Sequence, residues 1–234
     1  VPALFATAPT SAAPALTWKS LSAGKYHTCA ITTGGAAYCW GSNNYGQLGD
    51  LTTTNRSVPT RVYGLSSGVA TISAGYYHTC ATLTSGAVKC WGLNNMGRLG
   101  DGTTIDRVLP TTVIGLAATA TSVAAGGVHT CALLSTRAVQ CWGSGSRGTL
   151  GNGKPANVDN YSYTPVTVVG GIAASALTAG RTHNCIISTA GAAYCWGEGQ
   201  YGRIGIGSGV NQIGPVTPTG LTSGVTSISA GEYH

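Results

Sequence analysis

Charge is the first thing this chain is short of. Asp, Glu, Lys and Arg together make up 8% of its 234 residues, and there is one Phe and one Met. So little charge excludes a helical bundle, whose solvent faces need it, and no stretch spaces its apolar residues at a helical period. Long apolar runs are missing too. The longest are Ala-rich and broken by Pro, Thr or Gly, far short of a membrane span. Lys and Arg number 12 against 6 acidic residues, a net charge of +6, yet they fall singly from Lys19 to Arg203. Without a basic stripe, nucleic acid is not an expected partner. The carboxylates Asp50, Asp101, Asp106, Asp159, Glu198 and Glu232 are as dispersed, with no two set together for acid–base chemistry. Neither enzyme activity nor a cofactor is expected.

What is abundant is glycine, 36 residues, and repetition. The stretch HTCAITTGGAAYCWG from His27 returns as HTCATLTSGAVKCWG from His78, HTCALLSTRAVQCWG from His129 and HNCIISTAGAAYCWG from His183, and it opens again at His234. Residues of alternating character flank a short, small middle, the pattern of a β-hairpin. If Cys29 faces Cys39, a three-residue loop places Gly35, Gly86 and Gly191 at its third position, where left-handed backbone is needed. Arg137 stands there in the third copy, at a cost of about 1 kcal/mol. In that register His27, Cys29, Ile31, Ala37, Cys39 and Gly41 share one face, and Thr28, Ala30, Tyr38 and Trp40 the other. Both faces are largely apolar, so each sheet must lie between neighbours. Trp40, Trp91, Trp142 and Trp196 are expected to fill the space between sheets, and His27, His78, His129 and His183 to be hydrogen-bonded core residues. The variable slot of Tyr38, Lys89, Gln140 and Tyr194 is expected at the periphery.

All eight cysteines fall in four equally spaced pairs: Cys29 and Cys39, Cys80 and Cys90, Cys131 and Cys141, Cys185 and Cys195. Directly opposed residues of an antiparallel ladder lie about 4.5 to 5.5 Å apart at Cα, within reach of a disulfide. A bridge in every hairpin is therefore expected, with four pairs of buried thiols as the alternative. Bridges would place the protein outside the cytosol, extracellular or at a cell surface. One His and two Cys per face supply three metal ligands where structural zinc takes four, and no fourth recurs.

Residues 1–14, VPALFATAPTSAAP, read as an Ala/Pro/Thr-rich tether. Repeats are expected over 15–234, at about 15–75, 76–126, 127–180 and 181–231, with a further one starting at 232–234. Steps from His to His are 51, 51, 54 and 51 residues, a period that suits the four-stranded blade of a propeller. A polar, glycine-punctuated loop follows each Trp-Gly and ends at Pro59, Pro110, Pro165 or Pro215, whose missing N–H suits an edge strand. Long loops on a repeated scaffold are candidate binding surfaces, here with Asn44, Tyr45, Asn95, Arg98, Tyr201 and Arg203. Asn55-Arg56-Ser57 and Asn160-Tyr161-Ser162 are formal glycosylation sequons.

Ala-Gly-x-x-His-Thr-Cys-Ala, then Cys-Trp-Gly-x-Asn-x-x-Gly-x-Leu-Gly-Asp-Gly, then Pro-x-x-Val, repeated from about Leu16 onward, resembles the regulator of chromosome condensation repeat. The resemblance implies an all-β, seven-bladed β-propeller of four-stranded antiparallel blades, of which four complete repeats and a fifth lead strand are present. Its members range from exchange factors for small GTPases to bacterial β-lactamase inhibitors and secreted proteins, and the paired cysteines are closer to the secreted bacterial branch. It implies no functional residue, because no loop here aligns with those of the exchange factors. Four units are fewer than seven, so the chain is expected to continue in a longer polypeptide or to self-associate, with a closed four-bladed ring as the remaining alternative. The expected function is a non-catalytic extracellular binding or adhesion module that presents its loops to a protein or surface glycan. The alternatives are a structural subunit of an extracellular assembly and a protein partner of an enzyme or GTPase.

Overall fold

The structure, a computed structural model, describes residues 16–156 and 160–234, and the tether expected over 1–14 lies outside them. Each repeat forms one antiparallel sheet whose strands follow chain order. Blade 1 holds β1 (Trp18–Ala23), β2 (His27–Thr32), β3 (Ala37–Gly41) and β4 (Arg56–Arg61). Blade 2 holds β5 (Val69–Ala74), β6 (His78–Leu83), β7 (Val88–Gly92) and β8 (Arg107–Thr112). Blade 3 holds β9 (Ala120–Ala125), β10 (His129–Leu134), β11 (Val139–Ser144) and β12 (Tyr161–Thr167). Blade 4 holds β13 (Ala174–Ala179), β14 (His183–Ser188), β15 (Ala193–Gly197) and β16 (Gln212–Val216).

Cys faces Cys in every central hairpin. All four pairs are bridged, with Cα atoms 4.0 to 4.1 Å apart. Thr32 and Ala36 close a three-residue loop, and Gly35, Gly86 and Gly191 take φ of 78°, 82° and 79°. Arg137 adopts φ 70° and keeps the same turn. The four prolines sit within β4, β8, β12 and β16, each the outermost strand of its sheet, where no ladder partner is lost.

The cystine face of one blade receives the Trp face of the next. Trp91 packs among Cys29, Ile31, Cys39, Leu48 and Val62, Trp142 among Cys80, Cys90 and Leu99, and Trp196 among Cys131, Cys141 and Leu150. All three rings are fully buried. Each lies on a loop glycine of the preceding blade, since a Cβ at Gly49, Gly100 or Gly151 would come within 2.7 Å of the indole nitrogen. Trp40 departs from the expectation. It is only half-buried, because none of the other described sheets covers that face of blade 1, and its neighbour is Trp18, 6.5 Å away. Trp18, outside the repeated motif, also meets Tyr38 edge-on at 5.6 Å. Tyr38 and Gln140 are buried rather than peripheral: Arg61 donates to the Tyr38 hydroxyl, and Gln140 Oε1 accepts from the Ala117 N–H.

A relay of hydrogen bonds crosses each boundary between blades. Thr79 Oγ1 donates to the Gln47 carbonyl at 2.7 Å, so His27 Nε2–H must be the donor to Thr79 Oγ1, also at 2.7 Å. His78 donates to Thr130, which donates to the Arg98 carbonyl, both at 2.8 Å. His129 donates to Asn184 Oδ1 at 2.7 Å, and Asn184 Nδ2 to the Thr149 carbonyl at 2.8 Å. The indoles of Trp142 and Trp196 donate to the carbonyls of Arg98 and Thr149 as well. This assigns the Nε2–H tautomer to the three histidines and leaves Nδ1 buried without a partner. Burial accordingly lowers His27, His129 and His183 to about 4, and His78 well below its ordinary value.

Candidate functional site

The two residues between the lead-strand Ala-Gly and the histidine form a turn at one end of each blade: Lys25-Tyr26, Tyr76-Tyr77, Gly127-Val128, Arg181-Thr182 and Glu232-Tyr233. Backbone bonds join these turns around one axis, from Lys25 N–H to Gly75 O (3.2 Å), Tyr76 N–H to Gly126 O (3.3 Å) and Gly127 N–H to Gly180 O (3.3 Å). The Ala-Gly pairs line a recess of about 220 Å³, bordered by Lys25, Tyr76, Arg181 and Glu232. Lys25 Nζ meets Glu232 Oε1 at 3.0 Å. That hydrogen bond raises the lysine and lowers the carboxyl relative to their ordinary values. Burial pushes the Tyr76 hydroxyl up, and the Glu232 charge adds to the effect.

The loops after each Trp-Gly reach the same end, because each extends over the turn of the following blade. Tyr45 meets Tyr77 with ring centroids 5.3 Å apart, and Tyr201 meets Tyr233 at 6.2 Å. Tyr26 stacks on Tyr77 at 5.3 Å, and Lys25 Nζ lies 4.6 Å from the Tyr76 ring centroid. The outcome is one face of tyrosines and cations grouped around the axis.

Buried asparagines hold the first two loops rigid. Asn43 Nδ2 donates to Asp50 Oδ1 and to the Thr52 and Thr54 carbonyls, while its Oδ1 accepts from Leu48 N–H. Asn94 repeats the arrangement with Asp101, Thr103, Ile105 and Leu99. Arg56 pairs with Asp50 at 2.7 Å and Arg107 with Asp101 at 2.8 Å. Burial works to raise both aspartates, but hydrogen bonds from the loop threonines, these arginines and the asparagines outweigh it and hold them below the ordinary carboxylate value. The sequon residue Asn55 belongs to this frame, accepting from Asn43 N–H at 2.7 Å.

Of the six loop residues singled out from sequence, Asn44, Asn95, Tyr45 and Tyr201 are exposed, Tyr201 by 75%. The two arginines are not surface groups. Arg98 is 2% exposed and donates to the Gly127 carbonyl (2.8 Å) and Asn95 Oδ1 (2.7 Å), and burial lowers it to about 10. Arg203 is 9% exposed and donates to Glu198 Oε2 (2.9 Å) and Thr182 Oγ1 (3.1 Å). Arg98 turns inward because the next blade's turn supplies the Gly127 carbonyl, and Arg203 because Thr182 and Glu198 of its own blade supply acceptors within reach. Sequence reasoning missed Lys25, Tyr26, Tyr76, Tyr77, Arg181 and Tyr233. The available signal was Tyr in the second variable slot of Ala-Gly-x-x-His in three of five copies. Among the described residues no three of His, Cys, Asp and Glu gather as a metal site. No helix among them is long and apolar enough to cross a membrane.

Models of the regulator of chromosome condensation (RCC1) repeat match residues 34–82, 85–133 and 190–234, and in a second form 18–47, 69–98, 120–149 and 174–203. The ultraviolet-B receptor UVR8 of Arabidopsis thaliana is 32% identical over 205 residues, 86% of this chain and 46% of its own. Human WBSCR16 superposes with a TM-score of 0.82 at 23% identity, over 92% of this chain and 56% of that one. Yeast RCC1 (Prp20), solved bound to Kap60, gives 0.74 at 22% identity, over 86% and 48%. The chain thus spans about half the length of these relatives. Matched by repeat models across all four sheets, it belongs to the RCC1-repeat family, and its sheets are blades of a β-propeller.

Proposed function

We infer that the protein is a non-catalytic binding module that engages a partner protein through the face built from the post-Trp loops and the Ala-Gly-x-x-His turns. One observation carries the reading. Tyr26, Tyr45, Tyr201 and Tyr233 are all exposed at that end, on loops and turns held by internal hydrogen bonds. Tyrosine is an effective contact residue because it brings large area and a polar tip while losing little conformational entropy. Rigid loops reduce the ordering cost of association further. The complex of yeast RCC1 with Kap60 supports a protein partner over a surface glycan, as a property of that relative. The four cystines support an oxidising location, outside the cell or at its surface.

The test is cross-linking mass spectrometry on the native secretome, with Tyr26→Ser plus Tyr45→Ser compared against Tyr63→Ser plus Val58→Ser on β4 and the segment after it. Cross-links concentrated on the tyrosine face, and lost with the first pair alone, are expected. Cross-links that survive the first pair and vanish with the second would sink the assignment.

A further inference from the structure

The fourth blade breaks its own repeat at this face, and the break builds a site. The position two residues after the motif Trp holds Ser42, Leu93 and Ser144 in the first three loops but Glu198 in the fourth. Glu198 is buried, and its carboxylate accepts from Arg203 at 2.9 Å, from the Thr182 hydroxyl and from Arg147 of the preceding loop. The other three loops fold without this carboxylate, and a buried ion pair gains little stability over an apolar alternative, so packing alone does not account for it. What the carboxylate does is fix two arginines. They line a cleft of about 490 Å³ whose other walls are Arg181, Gln200, Tyr201, Tyr233 and Glu198 itself.

Three arginines there face one buried carboxylate, and Glu232, 3.9 Å from Arg181, is closer to Lys25 at 3.0 Å. The side chains of Arg147 and Arg181 remain 52% and 43% exposed. Arg181 Nη1 donates to the Tyr233 hydroxyl at 2.7 Å, which leaves other donors of its fork free. Tyr201 and Tyr233 meet edge to face, and the Arg203 guanidinium lies 5.7 and 5.6 Å from their ring centroids. Arg147 and Tyr201 occupy the same loop position, and both hold left-handed backbone, φ 63° and 62°, which costs a side-chain-bearing residue about 1 to 2 kcal/mol. Tyr45 and Met96 fill that position in the other loops without positive φ.

We propose that this cleft takes an acidic segment of a partner polypeptide, seating an Asp or Glu carboxylate against the free donors of Arg181 and Arg147 and the adjoining chain against Tyr201 and Tyr233. The inference rests on the protein-binding reading of this face. Planar guanidinium forks match a carboxylate with two parallel hydrogen bonds, and tyrosine rings pack on the aliphatic parts of a peptide. A densely sulfated glycan fits less well, because basic residues elsewhere are scattered and Glu198 and Glu232 flank the site. Glu198 is a positioning residue here, holding Arg147 and Arg203 without meeting the ligand.

The experiment measures binding of a labelled hexaglutamate peptide by fluorescence anisotropy, with hexalysine and a heparin hexasaccharide as competitors. Hexaglutamate is expected to bind and to weaken with salt, as charge-assisted contacts do. Arg181→Glu and Tyr201→Ser, both at exposed side chains, should each weaken it about tenfold while leaving the melting temperature unchanged. Glu198→Gln should weaken it less and be rescued by Glu198→Asp more than a purely structural role would allow. Affinity indifferent to Arg181→Glu and Arg147→Glu, or stronger displacement by heparin than by unlabelled hexaglutamate, overturns the proposal. Partner cross-links on the tyrosine face that survive Arg181→Glu would remove the acidic cleft and leave the protein-binding reading standing.

Discussion

Mild acid should unfold this protein through its buried histidines. His27, His129 and His183 are held at about 4, against an ordinary value of 6.5, because burial disfavours the imidazolium. At His27, His78 and His129, whose Nε2–H is committed to the relay, the second proton would have to enter at Nδ1, which is buried with no acceptor. A folded value below the unfolded one means that the unfolded chain binds more protons between pH 6.5 and 4, so stability is complete above 6.5 and falls as pH drops through that window. At pH 5 each such histidine removes about 2 kcal/mol, and three together about 6 kcal/mol, comparable to the whole stability of many domains. His78 shifts in the same direction. Asp50 and Asp101, held below the ordinary carboxylate value, titrate beneath this window and do not mask it. The urea midpoint should therefore fall steeply from pH 7 to 4.5, and the Cε1 protons of His27, His78, His129 and His183 should show no titration near 6.5 in the folded state. His78→Gln, whose amide can still donate to Thr130, should lower stability at pH 7 yet flatten the acid slope. A midpoint constant across that range, or Cε1 resonances of His27, His78 or His129 titrating near 6.5, would refute the relay and its tautomer.

The Trp seats make a graded prediction: Trp91→Ala should cost about 3 to 5 kcal/mol and Trp40→Ala less than half of that, because only the first ring is enclosed by a neighbouring blade. Equal losses in denaturant titrations would contradict the stacking order. Asn94→Ala should cost about 2 kcal/mol or more, since it leaves the buried Leu99 N–H and loop carbonyls unpaired, whereas the exposed Asn95→Ala should change stability by under about 1 kcal/mol. Thermal melts of the two variants separate the cases. Peptide mapping without reduction should recover only links between cysteines ten residues apart, and ready alkylation of the folded protein would count against them.

The blade was legible in the sequence because its constraints are local. Cys29 opposite Cys39, a glycine at the third turn position and Pro in the last strand each specify the same register, and Arg137 could adopt the turn at modest strain. Side chains whose partners lie in another turn, or exist in one repeat only, were not legible. Arg98 and Arg203 read as surface cations in polar loops, yet their acceptors, Gly127 O and the Thr182–Glu198 pair, come from a neighbouring turn or a charge unique to one repeat. Trp40 carries the same motif as Trp91, and only the presence or absence of a covering sheet separates them. The turn side of the tyrosine face was missed for a related reason. Lys25, Tyr26, Tyr76, Tyr77, Arg181 and Tyr233 come from the two variable slots of the repeat, and averaging over copies discards the slots in which the copies differ.

Keeping every bridge inside its own hairpin has a consequence for how the chain matures. Eight cysteines allow 105 complete pairings, so a search among them would produce scrambled species. Here the correct partner is always ten residues away, and a hairpin forms in microseconds while a ribosome adds roughly 5 to 20 residues per second. Each pair can meet and oxidise before the next pair, some forty residues further on, has been synthesised. Oxidation then proceeds in the order of synthesis with no isomerase needed to correct it, and a copy of the repeat can be gained or lost by a gene without leaving an orphan thiol behind.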